Sequence, residues 1–300
     1  MFAKINDTEI FFDIVGEKLS PVTCHLKPKP TIVILHGGLG LDHGYLRTGM
    51  DPLCIEFNLI YVDMRGQGRS ATVPYETITL EQCTDDAKAL CDYLGIEKAF
   101  FMGHSAGGFV AQLVALRHPE VVEGLILVNT SSGHKFTKEE RDAENTPSLI
   151  DRAPADIIML SAKLFAPASL EEITDKKRID LHREFLQKVG PYYLAPGHEQ
   201  WFAPAMRYTT ASHRVMDHFV ANVLPYYDIG ERICNITVPT LVIAGAYDWV
   251  CPPIASRYLA RQIPGARYEY FESSGHMPFI EEPERFDNLL VNFVIGESLY

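Results

Sequence analysis

The chain has 300 residues, of which 47% are hydrophobic, 22% charged and 11% aromatic, and its formal net charge is −12. A chain of this length and composition can bury a large core without disulfides, which argues against a disordered or fibrous protein. The acidic balance argues against nucleic acid or anionic lipid as a partner, because recognition of phosphate requires clustered Lys and Arg side chains.

The N-terminal residues lack an apolar run behind a basic start, and no stretch of about 18 apolar residues occurs, so we expect neither a secretory signal nor a membrane span. The six cysteines show no Cys-x-x-Cys spacing, which favours free thiols in a reducing cytoplasm over zinc ligands. We therefore predict a cytoplasmic protein that acts on a small molecule without a cofactor or metal. The oligomeric state is left open.

The order of elements along the chain predicts an α/β fold. Alternating side chains at 2–5 and 9–15 predict a hairpin, and the three prolines within 21–30 predict a loop or linker. Short apolar runs rich in Val and Ile then recur, as in strands that are buried on both faces of a parallel sheet. These runs are residues 31–36, 59–62, 99–102, 124–128 and 240–244, and a further strand is expected at 268–272.

Helical patterns lie between these strands, which indicates a layered α/β architecture. They include residues 80–94, a helix carrying Phe109, and a C-terminal helix with apolar residues at helical spacing from Phe286. Between residues 133 and 227 the alternation stops, and we find charged helical segments, such as 170–189, without a convincing strand. We predict a core made of 1–132 and 228–300, with a helical cap of 133–227 inserted into it.

Residues 103–107 read Gly-His-Ser-Ala-Gly, a G-x-S-x-G motif set between a predicted strand and a predicted helix. In that context the serine lies on a sharp turn with its hydroxyl exposed above the sheet. Ser105 is therefore the predicted nucleophile. The backbone N–H of Ala106 is a predicted donor to the oxyanion, at the positive end of the helix.

Residues 36–40 read His-Gly-Gly-Leu-Gly and follow the first core strand. Glycines let the backbone approach a substrate carbonyl, and the N–H of Gly38 is the predicted second oxyanion donor. We interpret His36 as a residue that braces this loop. A metal site formed by His36, His43 and His104 is the weaker alternative, since their spacing matches no helical pair.

Asp248 follows the predicted strand 240–244, and His276 follows the strand 268–272. A histidine can accept the serine proton, and a carboxylate fixes its tautomer and stabilises the imidazolium. The chain order Ser, Asp, His is the one that G-x-S-x-G enzymes of this architecture use. Asp217 and Asp228 are weaker candidates for the acid, because they lie in or at the end of the insertion.

Together these motifs resemble the α/β-hydrolase superfamily over nearly the whole chain, and they look most like its prolyl-iminopeptidase-like branch. The resemblance implies an α/β-hydrolase fold with a mostly parallel sheet flanked by helices. It also implies that Asp63 and Arg65 brace a structural turn. The matching positions are 36–40, the Asp-Met-Arg-Gly-Gln-Gly-Arg-Ser segment 63–70, residues 103–108, Asp248 and Gly275-His276.

Two features depart from that branch. Leu39 stands where the branch usually has proline, and the insertion lacks a clear Trp-Glu signature for a peptide amine. Glu199, near Trp201, is a possible substitute.

The insertion is rich in aromatic residues, which predicts an apolar roof over the triad. We therefore expect a serine hydrolase that cleaves a small carboxylic ester, lactone or amide with a hydrophobic acyl part. The alternatives are a prolyl-iminopeptidase-type aminopeptidase, a lyase or acyltransferase that uses the same Ser and His, and a low-turnover ligand-binding receptor. The predicted substrate contacts are Leu39, His104, Trp201, Tyr208, Trp249 and Met277.

Overall fold

The computed structural model of the protein describes residues 1–22, 25–38, 40–165 and 175–296. The strands of these residues are β1 (Phe2–Ile5), β2 (Thr8–Val15), β3 (Leu19–Val22), β4 (His25–Pro28), β5 (Thr31–Leu35), β6 (Asn58–Val62), β7 (Ala99–His104), β8 (Val122–Val128), β9 (Thr240–Gly245) and β10 (Arg267–Phe271). The α-helices are α1 (Gly44–Met50), α2 (Leu80–Leu94), α3 (Ala106–Arg117), α4 (Lys138–Ala143), α5 (Ala155–Phe165), α6 (Asp175–Lys188), α7 (Phe202–Met206), α8 (His213–His218), α9 (Pro253–Gln262), α10 (Pro278–Glu281) and α11 (Pro283–Ile295).

Eight strands form one sheet in the order β1-β2-β6-β5-β7-β8-β9-β10. The pairs from β6 to β10 are parallel, whereas β1 and β2 join antiparallel at one edge. The predicted mostly parallel sheet flanked by helices is therefore confirmed, and each predicted core strand is found within two residues of its predicted bounds. In this arrangement the carboxyl ends of β5, β7, β8, β9 and β10 meet at one edge of the sheet, where α/β enzymes bind ligands.

Both faces of the sheet are buried, and they separate two hydrophobic cores. In β5, Val33 and Leu35 pack into one core. Ile32 and Ile34 belong to the other. Because successive strand residues point to opposite faces, a continuous apolar run is what a doubly covered strand requires.

The N-terminal hairpin is confirmed, and the loop predicted after it is wrong in part. Asn6 and Asp7 adopt positive φ angles of 44° and 61°, as a two-residue turn between β1 and β2 requires. Within 21–30, however, β4 pairs antiparallel with β3 as a separate ribbon. Prolines are tolerated there because a two-stranded ribbon consists only of edge strands.

Among the described residues between β8 and β9, helices occur and no strand does. These helices have a small apolar core of their own, formed by Leu149, Ile157, Leu160, Leu164, Phe185 and Val189. Residues 166–174, which include the first five residues of the predicted helical segment 170–189, lie outside the described residues. The division into a core and a cap stays a prediction.

No helix within the described ranges is long and apolar enough to cross a membrane. The described cysteines, at positions 54, 83, 91, 234 and 251, are free of disulfides; Cys24 lies outside the described residues.

Candidate active site

Ser105 occupies a strained turn between β7 and α3. Its backbone angles are φ 53° and ψ −123°, a conformation that L-residues rarely adopt and that functional sites often store. The turn is tight because the helix passes close to the neighbouring strand: a Cβ on Gly107 would collide with the backbone carbonyls of Leu35 and His36. The close approach of α3 to β5 therefore requires glycine at position 107. The same approach raises Ser105 above the sheet edge.

His276 and Asp248 meet at the same edge, beyond β10 and β9. Nδ1 of His276 lies 2.8 Å from Oδ2 of Asp248, and both side chains are buried. Because a carboxylate can only accept, the imidazole carries its proton on Nδ1 and leaves Nε2 free to accept one. Oδ1 of Asp248 accepts from the backbone N–H groups of Val250 and Cys251 at 2.8 and 3.0 Å.

Asn129, at the end of β8, is a buried partner of this pair that the sequence reasoning missed. Its Nδ2 donates to Oδ2 of Asp248 at 2.7 Å and to the carbonyl of Gly275 at 3.0 Å. Its φ of 47° lies in the left-handed region, which Asn tolerates better than most residues. A polar residue directly after an apolar strand was the available signal in the sequence.

Glu281, in α10, is a second group that the sequence did not reveal. Its carboxylate accepts hydrogen bonds from the backbone N–H groups of Gly275 and Met277, on either side of His276. It also accepts one from the N–H of Ala195, in the region between β8 and β9. Burial raises the pKa of this carboxyl, although the three backbone N–H groups favour its charged form. The N–H of His276 itself donates to the carbonyl of Tyr193 at 2.7 Å.

In the glycine loop after β5, two N–H groups are already used within the protein. Gly37 donates to the hydroxyl of Tyr45 at 2.7 Å, and Gly40 donates to Oε1 of Gln67 at 2.6 Å. Gly38 has a positive φ of 57° and lines the cavity described below, and its N–H has no protein acceptor within the described ranges. The N–H of Ala106, the first residue of α3, is likewise without an intrahelical acceptor.

The ring of His104 connects this loop to His276. Its Nε2 lies 2.8 Å from the carbonyl of His276, and its Nδ1 lies 2.7 Å from the Tyr45 hydroxyl. A carbonyl can only accept, so Nε2 carries the proton and Nδ1 accepts from Tyr45. Burial lowers the pKa of His104 well below its ordinary value, so the neutral ring and this directional chain of hydrogen bonds are maintained.

His36 and the segment 63–70 brace the loop from behind. Nδ1 of His36 donates to the carbonyl of Gly37, and Nε2 accepts from the N–H of Met64; burial lowers the pKa of this ring as well. Asp63 bonds His43 at 2.6 Å, and Arg65 forms two hydrogen bonds to Asp86. These contacts agree with the bracing roles expected for His36, Asp63 and Arg65.

Ser105 and His276 line one cavity of about 340 Å³, whose wall also includes residues from the region between β8 and β9. Cys251 also lines it. Burial raises the pKa of the Cys251 thiol well above its ordinary value, so it stays protonated. The wall is mostly apolar and comes from both core and insertion, including Leu41, Phe109, Leu164, Phe185, Leu186, Phe202, Met206, Met216, Phe219, Val220 and Leu224.

The residues predicted to contact substrate are only partly brought together. His104, Trp249 and Met277 line the cavity, whereas Leu39 lies outside the described residues. Trp201 and Tyr208 are not in the cavity wall, which corrects that expectation. Trp201 is 37% exposed and stacks on His198, and Tyr208 is 75% exposed. Trp201 ends a 3-10 turn and Tyr208 lies in the turn after α7, and both side chains are exposed, a distinction that aromatic content alone cannot make.

The weaker alternatives from the sequence find no support in this geometry. Asp217 pairs with Arg178 and His182, and Asp228 accepts from the N–H of Gly230, so neither is bonded to His276. Within the part of the chain that the structure describes, no group of three or more His, Cys, Asp or Glu residues is arranged to hold a metal ion. His36, His43 and His104 each bond to separate protein partners instead.

Sequence comparisons match most of the chain to a protein family and to individual relatives. The family described as alpha/beta hydrolase fold matches residues 30–283. A proline iminopeptidase, PfmaB of Pestalotiopsis fici, is 28% identical over 91% of this chain and 94% of its own length. RutD of a Caulobacter species, described as a candidate carbamate hydrolase, is 28% identical over 89% of this chain and 91% of its own length.

Solved structures agree with the sequence comparisons. The enol-lactonase of Burkholderia xenovorans superposes with a TM-score of 0.72 at 26% identity, covering 98% of this chain and all of that one. An esterase of Exiguobacterium antarcticum gives a TM-score of 0.72 at 23% identity, covering 96% of each chain. The resemblance inferred from the motifs is thereby confirmed: the chain belongs to the α/β-hydrolase fold family and is a hydrolase of that fold.

Proposed function

We propose that the protein is a serine hydrolase that cleaves a small carboxylic ester, lactone or amide with a hydrophobic acyl part. The observation that carries this proposal is one juxtaposition. Ser105, on its strained turn, lines the same apolar cavity as His276, and His276 is bonded to Asp248 at 2.8 Å.

Each group has a role that follows from its chemistry. His276, with Nε2 free, accepts the proton of Ser105 as the hydroxyl oxygen attacks the substrate carbonyl. Asp248 holds the tautomer and stabilises the imidazolium that forms. The imidazolium then protonates the leaving alcohol or amine, and water attacks the acyl-serine by the same route in reverse.

The N–H groups of Gly38 and Ala106 are the proposed donors to the oxyanion. The N–H groups of Gly37 and Gly40 already donate to protein acceptors. Of the three glycines in this loop, Gly38 is therefore the one whose N–H is available to the substrate. Two fixed donors stabilise the tetrahedral intermediate, and the loss of one such donor costs about 3 kcal/mol.

The apolar cavity favours an ester, lactone or amide with a hydrophobic acyl group over a peptide with a free amine. An ammonium group needs a carboxylate when it leaves water, and the described part of the cavity wall contains no Asp or Glu. Glu199 does not supply one there, because it accepts from the N–H of Gly197 and lies 3.9 Å from Arg152. The relatives named proline iminopeptidase still make that activity the second candidate.

The decisive experiment is labelling with an alkyl fluorophosphonate, with the modified residue located by mass spectrometry. We expect the label on Ser105 and none on the Ser105→Ala variant. That variant should lose about 10⁴-fold or more in kcat on a 4-nitrophenyl ester, because triad members act as a unit.

Three outcomes would contradict the proposal. Undiminished turnover by Ser105→Ala would reject the nucleophile. Absence of nitrophenol release, both as a burst and as steady turnover at high enzyme concentration, would favour a low-turnover receptor. Faster cleavage of proline 4-nitroanilide than of any 4-nitrophenyl acyl ester would favour the aminopeptidase.

A further inference from the structure

A second cavity, of about 750 Å³, lies beside the first. Its walls are α4, the turn 145–149, α5 and the residues that follow Asp248. It is larger than the 340 Å³ cavity that contains Ser105, and the roles proposed above make no use of it.

The two cavities meet directly next to the nucleophile. Four residues line both of them: Ser131, Trp249, Val250 and Cys251. Ser105 lines the first cavity, and Cys251 lines both. The second cavity is therefore the immediate neighbour of the one that contains the serine hydroxyl.

The two compartments differ in chemistry. The first is lined mainly by hydrocarbon, whereas the second presents hydroxyl, amide, imidazole and charged groups from His134, Arg141, Asp142, Asn145, Thr146 and Ser161. Arg141 and Asp142 carry one charge of each sign, so they add no net charge. The Oγ1 atom of Thr146 is buried without a hydrogen-bond partner in the protein. A wall of this kind suits a neutral ligand with several donors and acceptors.

We infer that the second cavity binds the leaving group of the substrate, and that this leaving group is a neutral polar alcohol or amine with its own hydroxyl or amide groups. The inference rests on the proposed function and extends it. A polar group placed in the apolar cavity would lose its hydrogen bonds to water without replacement. The substrate therefore binds with its acyl chain in the first cavity and its polar part in the second, so that the scissile carbonyl lies at Ser105.

The test uses two substrates with the same acyl group. The hexanoyl ester of glycerol has a neutral polyhydroxy leaving group, whereas methyl hexanoate has a leaving group that is too small to occupy the second cavity. Ala162 is exposed on α5 and lines the second cavity, so Ala162→Trp should fill it. Ala203 is also an exposed helical alanine, on α7 and in neither cavity wall, and Ala203→Trp is the matched control.

We expect Ala162→Trp to lower kcat/KM for the glycerol ester at least tenfold, while kcat/KM for the methyl ester changes less than threefold and Ala203→Trp matches the parent on both. The combined Thr146→Val and Ser161→Ala variant removes two hydroxyls at nearly constant volume. It should lower kcat/KM for the glycerol ester about fivefold or more and change kcat/KM for the methyl ester less than twofold, because a polar leaving group then loses its hydrogen-bond partners.

Equal values for Ala162→Trp and Ala203→Trp on the glycerol ester would overturn the inference, as would an equal loss on both substrates. Fluorophosphonate labelling of Ser105 is measured in every variant. Retained labelling with no discrimination between the esters refutes the leaving-group cavity alone, whereas absence of labelling in the parent refutes the serine hydrolase itself.

Discussion

The hydroxyl of Tyr45 lies 2.7 Å from Nδ1 of His104 and donates its proton to it. The same hydroxyl accepts the N–H of Gly37, and the other nitrogen of His104 bonds the carbonyl of His276. One tyrosine oxygen thus links the glycine loop to the backbone of the candidate base.

Tyr45→Phe should therefore impair catalysis more than binding. Loss of the hydroxyl frees both the Gly37 loop and the His104 ring, and small displacements of reacting groups cost up to about 100-fold in rate. We expect kcat on 4-nitrophenyl hexanoate to fall about 10-fold or more, with KM within threefold. Tyr61→Phe is the matched control, because Tyr61 is equally buried but donates to Asp51. Equal kcat values for the two variants would exclude this role for Tyr45.

Asn129→Gly should lower kcat without unfolding the protein. Glycine accepts the left-handed backbone conformation of this position, so the main loss is the pair of hydrogen bonds to Asp248 and Gly275. We expect kcat to fall about 10- to 100-fold. Asn6→Gly, also at positive φ, serves as the control in the same assay. Parent-like kcat in Asn129→Gly would mean that Asp248 needs no support from β8.

Thermal stability should decrease as the pH falls below 6.5. Burial lowers the pKa values of His36 and His104 in the folded state, so the unfolded chain binds more protons between the folded pKa and about 6.5. The free energy of unfolding then drops by up to about 1.4 kcal/mol per pH unit for each histidine. His104→Gln keeps a donor and an acceptor but does not titrate, so its Tm should fall less between pH 7 and pH 5. A parallel fall in Tm for both proteins would contradict the prediction.

Gly107→Ala should destabilise the fold severely. The added Cβ would collide with main-chain carbonyls of Leu35 and His36, which cannot rotate away, so we expect a loss at or above about 3 kcal/mol, the upper end for overpacking. Gly95→Ala is the control: it has φ +66° but nothing within 4 Å of the new Cβ, and it should cost about 1 kcal/mol. Denaturant unfolding of both variants measures the difference.

The sheet could be predicted because its strands are short, apolar on both faces and separated by helices. The runs at β5 and β9, for example, need no tertiary context to be recognised. The ribbon of β3 and β4 could not be predicted, because its prolines are typical of a loop and its pairing does not depend on an apolar face.

For the candidate site, the sequence was informative where a residue type suited to catalysis stands in a turn directly after a predicted strand. Ser105, Asp248 and His276 each follow a strand, which placed them at one edge. The residues that support them could not be found this way. Asn129 and Asp248 are 119 positions apart. They come together only because β8 and β9 are neighbouring strands of the sheet. Trp201 and Tyr208 were misplaced because the identity of an aromatic residue does not indicate whether its side chain faces the cavity or solvent.

The carboxylate of Glu281 accepts hydrogen bonds from the backbone of Ala195, in the region between β8 and β9, and from the residues on both sides of His276. A movement that lifts residues 193–195 off the sheet would break this anchor and the bond from His276 to Tyr193 at once. Displacement of these residues would therefore disturb the alignment of the imidazole, so we expect a conformation with residues 193–195 lifted to be catalytically inactive. Exchange of substrate and product should be fastest where it leaves residues 193–195 in place.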